Sequence, residues 1–357
     1  MDAWPEGNAI IYCEAHFRTP NGKTAHGLVR RSERYRVVSV IDSTSVGNDA
    51  GDLLDGRRAD IPIHPDLATA IEDAAQKATP ATHFVIGLAP DGGRLPESGR
   101  EAVTAAIRGG LNVDSGLHDF LSDDSDLSKL ADEHGVVLRD VRKPPPRNEL
   151  HFFSGKIEQV SAPTIALLGT DSAVGKRTTA WLLVDGLRSA GLATEMIGTG
   201  QTAWMQGARY SIVLDSLVND FVSGEIEHAV WHAWQEAKPQ VIVLEGQGSL
   251  LNPAYPGGFE LLAAGRPDAV VLQHAPARRD YDGFPGYPLH PIERQIQAIE
   301  VISSAPVIAI TINHEGLDRN GVQTACTEIH RSTGLPTFDV LSDGVDGLVE
   351  IIKSRLD

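Results

Sequence analysis

Residues 165–183, IALLGTDSAVGKRTTAWLL, bring together the residue types that hold an anion. An apolar run from Ile165 to Leu168 feeds a turn bounded by Gly169 and Gly175, and Lys176 follows at the head of a helix-like run. A glycine-rich turn between a buried strand and a helix aims main-chain N–H groups at a phosphate, and the helix N-terminus and the lysine add positive charge. One component is displaced. A common phosphate loop places Ser or Thr after its lysine, where the hydroxyl holds magnesium. Here that position is Arg177, and the hydroxyls come at Thr178 and Thr179. One step along a helix swings a side chain by about 100°, so Thr178 cannot stand in for its neighbour, and Thr179 lies further round still. Arg177 would oppose a nearby cation and welcome another anionic group. The pattern predicts an anion cradle over Gly169, Thr170, Asp171, Ser172, Ala173, Val174, Gly175, Lys176, Arg177, Thr178 and Thr179, with its magnesium seat in doubt. Such a cradle favours a ligand held by its phosphates without their hydrolysis, and coenzyme A is one.

Further candidates lie at other strand ends. VIVLEGQGS reads as a buried strand ending in Glu245, which would reach the loop from the strand's C-terminal end. That acid could bind magnesium, or take a proton from a substrate ammonium. Gln247 and Ser249 follow in a glycine-rich loop able to present amides to an oxyanion. In GTGQTAWMQG, Gly198 and Gly200 permit a tight turn, which would bring Gln201 and Thr202 to the same edge, against a substrate. QHAPARRDYDGFPGYPLHP reads as a long loop without secondary structure, and such loops are usually functional or mobile. It carries His274, Arg278, Arg279, Tyr287 and His290, and paired arginines suit a dicarboxylate by their fork geometry. The plainer reading of that stretch is an exposed basic turn. Asp220 in NDFVSG is a helical acid that reads equally as a cap, and Asp42 is a strand-end acid that could hold a ribose.

The elements that must position these residues alternate between strand and helix. In the first part AIIYC, YRVVSVID, THFVIGLAP and LNVDS read as strands. HPDLATAIEDAAQKA and SGREAVTAAIRGG read as helices, the second with Ser98 as N-cap and Gly109 as C-cap. In the second part TIALLG, ATEMIG, QVIVLEG, DAVVLQH, APVIAITIN and LPTFDVL read as strands, with helices over 176–190, 217–236, 291–303 and 319–332. Several of these strands are continuous apolar runs, as a parallel sheet covered on both faces requires. Between the two parts, Pro144–Pro146 cannot sit inside a helix or central strand and stiffen the chain. The expected organisation is α/β: a Rossmann-like parallel sheet over 1–145, a linker over 146–161, and a P-loop NTPase-like, doubly wound parallel sheet over 162–357. No G-x-G-x-x-G follows the first strand, where FRTPNGKTAHGL stands instead, so NAD binding by this half is not expected.

Composition narrows the function classes. Over 357 residues, 41% apolar and 22% charged residues describe a globular chain with room for two cores. A net charge of −17 would repel duplex nucleic acid. No apolar run approaches the roughly 20 residues of a membrane span, and the N-terminus does not read as a signal peptide, so the chain reads as soluble and cytoplasmic. Cys13 and Cys326 lie far apart in no metal-like spacing, which supports neither zinc nor a disulfide framework.

GTDSAVGK has five residues between its glycines, and it matches the G-T-D-x-x-V-G-K loop of dethiobiotin synthetase at every fixed position. Taken with IGTGQTAWMQG, NDFVSGEIEHAV, VLEGQGSLLNPAYPG, RPDAVVLQHAP and, in the first part, KTAHGLVR, VVSVIDS and GLHDFLSDD, the chain resembles a bacterial and archaeal two-domain family long held to be of unknown function. One branch of that family is described as D-glutamate N-acetyltransferase, acting with acetyl-CoA. In this family the residue after the loop lysine is commonly neither Ser nor Thr, so Arg177 fits the resemblance. By the same likeness Asn313, in TIN at Thr311–Asn313, is a candidate for the purine of ATP or coenzyme A.

The resemblance implies an amino-acid N-acetyltransferase that holds acetyl-CoA in the loop, with D-glutamate or a related D-amino acid as acceptor and Glu245 or His274 freeing the amine. Gln201, Thr202, Gln247, Ser249, Arg278 and Arg279 would then serve the substrate. A second reading is a Mg-ATP-dependent kinase or ligase of dethiobiotin-synthetase type acting on a small carboxylate or amine, with Glu245 and Asp171 on the metal. A third is a nucleotide-gated switch without turnover. Two-domain enzymes of this size often dimerise, which leaves a homo-oligomer open.

Overall fold

The computed structural model describes residues 4–356. The chain forms two compact units, one taking in the residues up to Pro144 together with Gln201–Gly207, the other Pro145–Gly200 and the residues from Ala208 onward. In the first unit β1 (Gly7–Tyr12), β2 (Tyr35–Ile41), β3 (Ile63–His64), β4 (His83–Ile86), β5 (Asn112–Ser115) and β6 (Leu138–Asp140) make a parallel sheet. Its order is β3-β2-β1-β4-β5-β6, the order of dinucleotide-binding doubly wound sheets. Ile10, Ile11, Phe84 and Ile86 are fully buried at its centre.

Where a dinucleotide fingerprint would lie, Thr19 caps a 3-10 turn at Pro20–Gly22 that runs into a helix at Lys23–Arg30. Asp42, at the end of β2, is fully buried and accepts from the amides of Ala15, Phe17 and Thr44 and from the hydroxyls of Thr44 and Ser45. The ribose expectation for Asp42 is therefore corrected: its oxygens are spent on the adjoining loops.

In the second unit β7 (Thr164–Gly169), β8 (Thr194–Gly198), β9 (Tyr210–Ser211), β10 (Val241–Glu245), β11 (Ala269–His274), β12 (Val307–Ile312) and β13 (Thr337–Phe338) form a parallel sheet in the order β13-β12-β11-β7-β10-β8-β9. Alternation along each strand divides the apolar residues between two faces. Ala166, Leu168, Ile242, Leu244, Val270 and Leu272 all belong to one buried cluster. Both α/β sheets thus match the architecture expected from the alternation of segments.

The expected helices appear as Lys176–Ser189, Asn219–Ala237, Ile292–Ser303 and Arg319–Thr333. Three local expectations need correction. Pro96, not Ser98, is the N-cap of the helix Glu97–Arg108, although Gly109 does close it. LPTFDVL is a strand only at Thr337–Phe338, because the Asp339 side chain accepts from the Leu341 amide and starts a helical turn. GTGQTAWMQG is not a plain turn: Gln201–Gln206 is a helix, and it belongs to the first unit.

That helix is held by its tryptophan. The Arg34 guanidinium lies 3.6 Å from the centroid of the Trp204 ring and Arg139 lies 4.7 Å from it, cation–π contacts that fix the ring. Arg34 Nε also donates to the Trp204 carbonyl at 2.9 Å. Arg34 and Arg139 both pair with Glu6, and Arg139 and the Tyr35 hydroxyl reach the buried Asp114 at 2.6 Å each. Gln206 Nε2 donates to the Gly27 and Arg31 carbonyls.

The segment 146–161 contains two 3-10 turns. Glu227, fully buried, accepts from the Ser154 amide and hydroxyl and from the Ile157 amide, and Glu225 accepts from the His151 amide. Cys13 and Cys326 are free thiols that burial pushes above the ordinary thiol value, which suits packing rather than nucleophilic roles. No helix among the described residues is long and apolar enough to cross a membrane.

Candidate anion site at the sheet edge

Parallel pairing of β7 with β10 and β11 brings three strand ends to one edge. Glu245 sits opposite Leu167, and Gln273 opposite Gly169. The turn after β7 carries left-handed residues at Ala173 (φ +51°) and Gly175 (φ +106°). This alternation curls successive N–H groups into one concavity. The amides of Ala173, Val174, Gly175 and Lys176 have no hydrogen-bond partner among the described residues. Those of Thr170 and Ser172 are spent, on the Gln273 carbonyl and the Asp171 carboxylate. The anion cradle is thus narrower than the span expected from the sequence.

Lys176 is buried, and its ammonium donates to the carbonyls of Asp171 (2.7 Å) and Gly248 (2.8 Å). Burial pulls it down to about 8, against the opposing charges of Asp171 and Glu245. A Cβ at Gly169 would lie 2.9 Å from the lysine's Cδ and Nζ and from Val174 Cγ2, so a larger residue would displace the lysine from this path.

Asp171 is committed to protein partners. Its carboxylate is fully buried and takes four donors: the Ser172 amide, Asn252 Nδ2, the Asp282 amide and Arg278 Nη1. Arg278 also donates to the Ser172 carbonyl at 2.8 Å and the Ala173 carbonyl at 3.3 Å, and pairs with Glu315 at 2.8 Å. The expectation of Arg278 as a carboxylate receptor is corrected by these bonds, because its fork is committed to the phosphate loop itself. Asp171 as a magnesium ligand is corrected on the same ground. Arg279 beside it is exposed.

Glu245 is buried at the end of β10, and one oxygen accepts from the Thr199 amide at 2.8 Å. Burial pushes its carboxyl above the ordinary value; the charge of Arg177 opposes that push most strongly, followed by Thr199 and Lys176. A guanidinium charge therefore acts on the acid that magnesium would otherwise neutralise. Gln247 Nε2 donates to the Thr199 carbonyl and hydroxyl, which steadies Glu245 indirectly. The Ser249 amide donates to the Tyr255 carbonyl and so is not an oxyanion donor, while its buried hydroxyl has no partner among the described residues.

On the other flank, His274 Nδ1 pairs with the Thr170 hydroxyl at 2.9 Å, and burial pulls the imidazole down to about 4, so it is neutral at pH 7. Thr179 is corrected as a ligand contact: its hydroxyl donates to Gln273 Oε1 at 2.6 Å, inside the sheet, beside the Thr311 hydroxyl at 2.5 Å. Thr178 is half-buried at the helix start. Val174 is fully buried and offers only its backbone. Asn313 Nδ2 lies 4.0 Å from where a Gly175 Cβ would stand, and Asn313 Oδ1 accepts from the Glu315 amide.

Two expected substrate contacts already have protein partners. Gln201 Oε1 accepts from Arg142 at 3.0 Å and the Thr202 hydroxyl pairs with Thr24 at 3.1 Å, all within the first unit. These bonds commit both side chains to partners of their own unit. Asp220 is exposed in the first turn of its helix. Residues that sequence reasoning missed are Asn252, Gln273 and Thr199, all buried and all bonded to the site. For Asn252 a signal existed, since Asn-Pro marks a turn.

Comparison with known proteins agrees with this architecture. Residues 151–349 match the family model described as a domain of unknown function (DUF1611_C), P-loop domain, and residues 43–144 match its DUF1611_N, Rossmann-like counterpart. A Pseudoalteromonas sp protein named D-glutamate N-acetyltransferase is 31% identical over 276 residues, 75% of this chain and 80% of that one. A protein of the same name from Tritonibacter scottomollicae is 29% identical over 284 residues, 78% and 83% of the two chains. The crystal structure of a DUF1611 family protein from Anabaena variabilis superposes with a TM-score of 0.89 at 28% identity, covering 98% of this chain and 99% of the other.

Proposed function

The chain belongs to the DUF1611 family, and on that premise we propose that it is an N-acetyltransferase that takes acetyl-CoA in the loop after β7 and acetylates D-glutamate or a related D-amino acid. The observation that carries this reading is the pairing of an open amide nest with Arg177. The nest suits a pyrophosphate, while the arginine's charge bears on Glu245 where a nucleotide-hydrolysing site would need magnesium. The names of the curated relatives supply the reaction and the acceptor class.

The donor's thioester supplies the acetyl group. Lys176, now bonded to two carbonyls, would turn its ammonium to the ligand's phosphate. Glu245 would accept the proton that the substrate ammonium must shed before its nitrogen can attack. Its burial strengthens it as a base. His274, neutral and oriented by Thr170, is the second acceptor within the site. The four donors on Asp171 and the Arg177 charge acting on Glu245 favour this reading over a Mg-ATP ligase.

The test is calorimetric titration with acetyl-CoA and with ATP, each with magnesium or EDTA, followed by an assay of thiol release with D- and L-glutamate. Acetyl-CoA should bind equally with and without magnesium, D-glutamate should release thiol, and Lys176→Met should abolish binding. Magnesium-dependent ATP binding with no response to acetyl-CoA would refute the reading.

A further inference from the structure

Three aromatic rings stand together on the two loops that close around Asp171. Tyr255 and Phe284 have ring centroids 6.1 Å apart at 65°, and Phe284 and Tyr287 6.4 Å apart at 82°. Tyr255 and Tyr287 are each 57% exposed. Aromatic rings bring a large apolar surface that favours burial; here the two tyrosines are exposed and Phe284 is half-buried.

Their loops are fixed to the phosphate loop. Asn252 Nδ2 donates to one oxygen of Asp171 at 2.9 Å while its own Oδ1 accepts from the Tyr255 amide at 3.0 Å. The Asp282 amide donates to the other oxygen at 2.9 Å, two residues before Phe284. The turn bearing Phe284 and Tyr287 is closed by the Tyr281 amide on the Tyr287 carbonyl at 2.9 Å and the Phe284 amide on the Tyr281 carbonyl at 2.9 Å. One carboxylate of the anion site therefore holds both aromatic turns. Asn313 stands at the other end of the loop, beside Gly175.

We propose that Tyr255, Phe284 and Tyr287 form the wall that receives the pantetheine arm of the acyl carrier, the part leading from the pyrophosphate to the thioester. The inference rests on the acetyl-CoA reading and adds to it a direction. A purine beside Asn313 at the Gly175 end of the loop would leave the Asp171 end, where these rings are tethered, to the other arm. That arm carries a gem-dimethyl group and two amides. Apolar ring faces bury the methyls, and a dry wall shields the thioester from water.

The experiment compares coenzyme A with ADP, which shares the adenosine diphosphate portion and lacks the arm, on the full chain and on Tyr255→Ala/Tyr287→Ala. The expected result is a loss of about tenfold or more in coenzyme A affinity with ADP affinity unchanged within twofold, and recovery in Tyr255→Phe/Tyr287→Phe. Equal loss for both ligands, or no loss for either, overturns the proposal. So does a variant that changes only the sedimentation coefficient, since the rings would then be a contact between copies of the chain. If the unaltered protein binds ADP but not coenzyme A, or neither, the acetyl-CoA reading itself fails, which no aromatic variant is needed to see.

Discussion

Arg278→Ala separates a clamp from a substrate receptor. In the structure the guanidinium reaches the Asp171 carboxylate at 3.0 Å and the carbonyls of Ser172 and Ala173, with its side chain only 14% exposed. Stripping one partner from a buried ion pair costs about 3–5 kcal/mol. Asp171 keeps three other donors, which places the loss at the lower end, about 3 kcal/mol. For a unit of this size each kcal/mol lowers the melting temperature by about 2–4 °C, so a fall of about 6–12 °C is expected. Lysine at this position restores a charge but not the fork, and Arg278→Lys should recover about half of the loss. Because Arg278 holds the carbonyls of residues whose successors form the nest, affinity for coenzyme A should fall at least tenfold. The assay is differential scanning calorimetry of both variants, paired with ligand titration. An unchanged melting temperature with a raised acceptor KM alone would refute the clamp and return Arg278 to the substrate.

Acid should loosen the strap on the helix Asn219–Ala237. The His228 ring stacks on His151 at 3.6 Å, its Nδ1 lies 2.8 Å from Lys156 Nζ, and burial followed by the Lys156 charge pulls it down to about 4. A histidine depressed in the folded state contributes stability that is complete above its unfolded value near 6.5 and drains away as pH falls toward 4. Melting curves from pH 7.5 to 4 should show that decline and a shallower one in His228→Gln; identical slopes would exclude the stack as its source. Trp204→Ala removes the ring between Arg34 and Arg139 and should cost about 3 kcal/mol, read as a lower urea midpoint of the full chain. A midpoint within experimental scatter would mean that the two arginines do not need the ring.

What could be read from the sequence was what is local. The phosphate loop is a contiguous strand, turn and helix, and Glu245 closes a continuous apolar strand, so each announces itself within one short stretch of chain. The helical swing of Thr179 past its neighbours was legible, but Thr179 was still kept in the cradle, because its bond to Gln273, 94 residues further on, was not. The partners of Asp171 were hidden because Asn252 and Arg278 lie 81 and 107 residues further on, in irregular loops without periodicity. Arg278 was misread for a physical reason: a fork that fits a substrate carboxylate fits a protein carboxylate equally well. That Gln201 and Thr202 open a helix of the first unit was hidden, because a strand followed by Gly-x-Gly looks like a plain turn and nothing nearby shows that Arg34 will capture Trp204.

The seven residues Gln201–Gly207 carry a lesson for anyone who would take this protein apart. They are encoded in the middle of the phosphate-loop half yet complete the other one. Expressing the chain only as far as Pro144 would omit the tryptophan that its arginines grip, and the remainder would carry a stray amphipathic stub with nowhere to dock. Gene fusions that exchange either half as a cassette inherit the same mismatch, so the two halves must be inherited, and redesigned, as a pair.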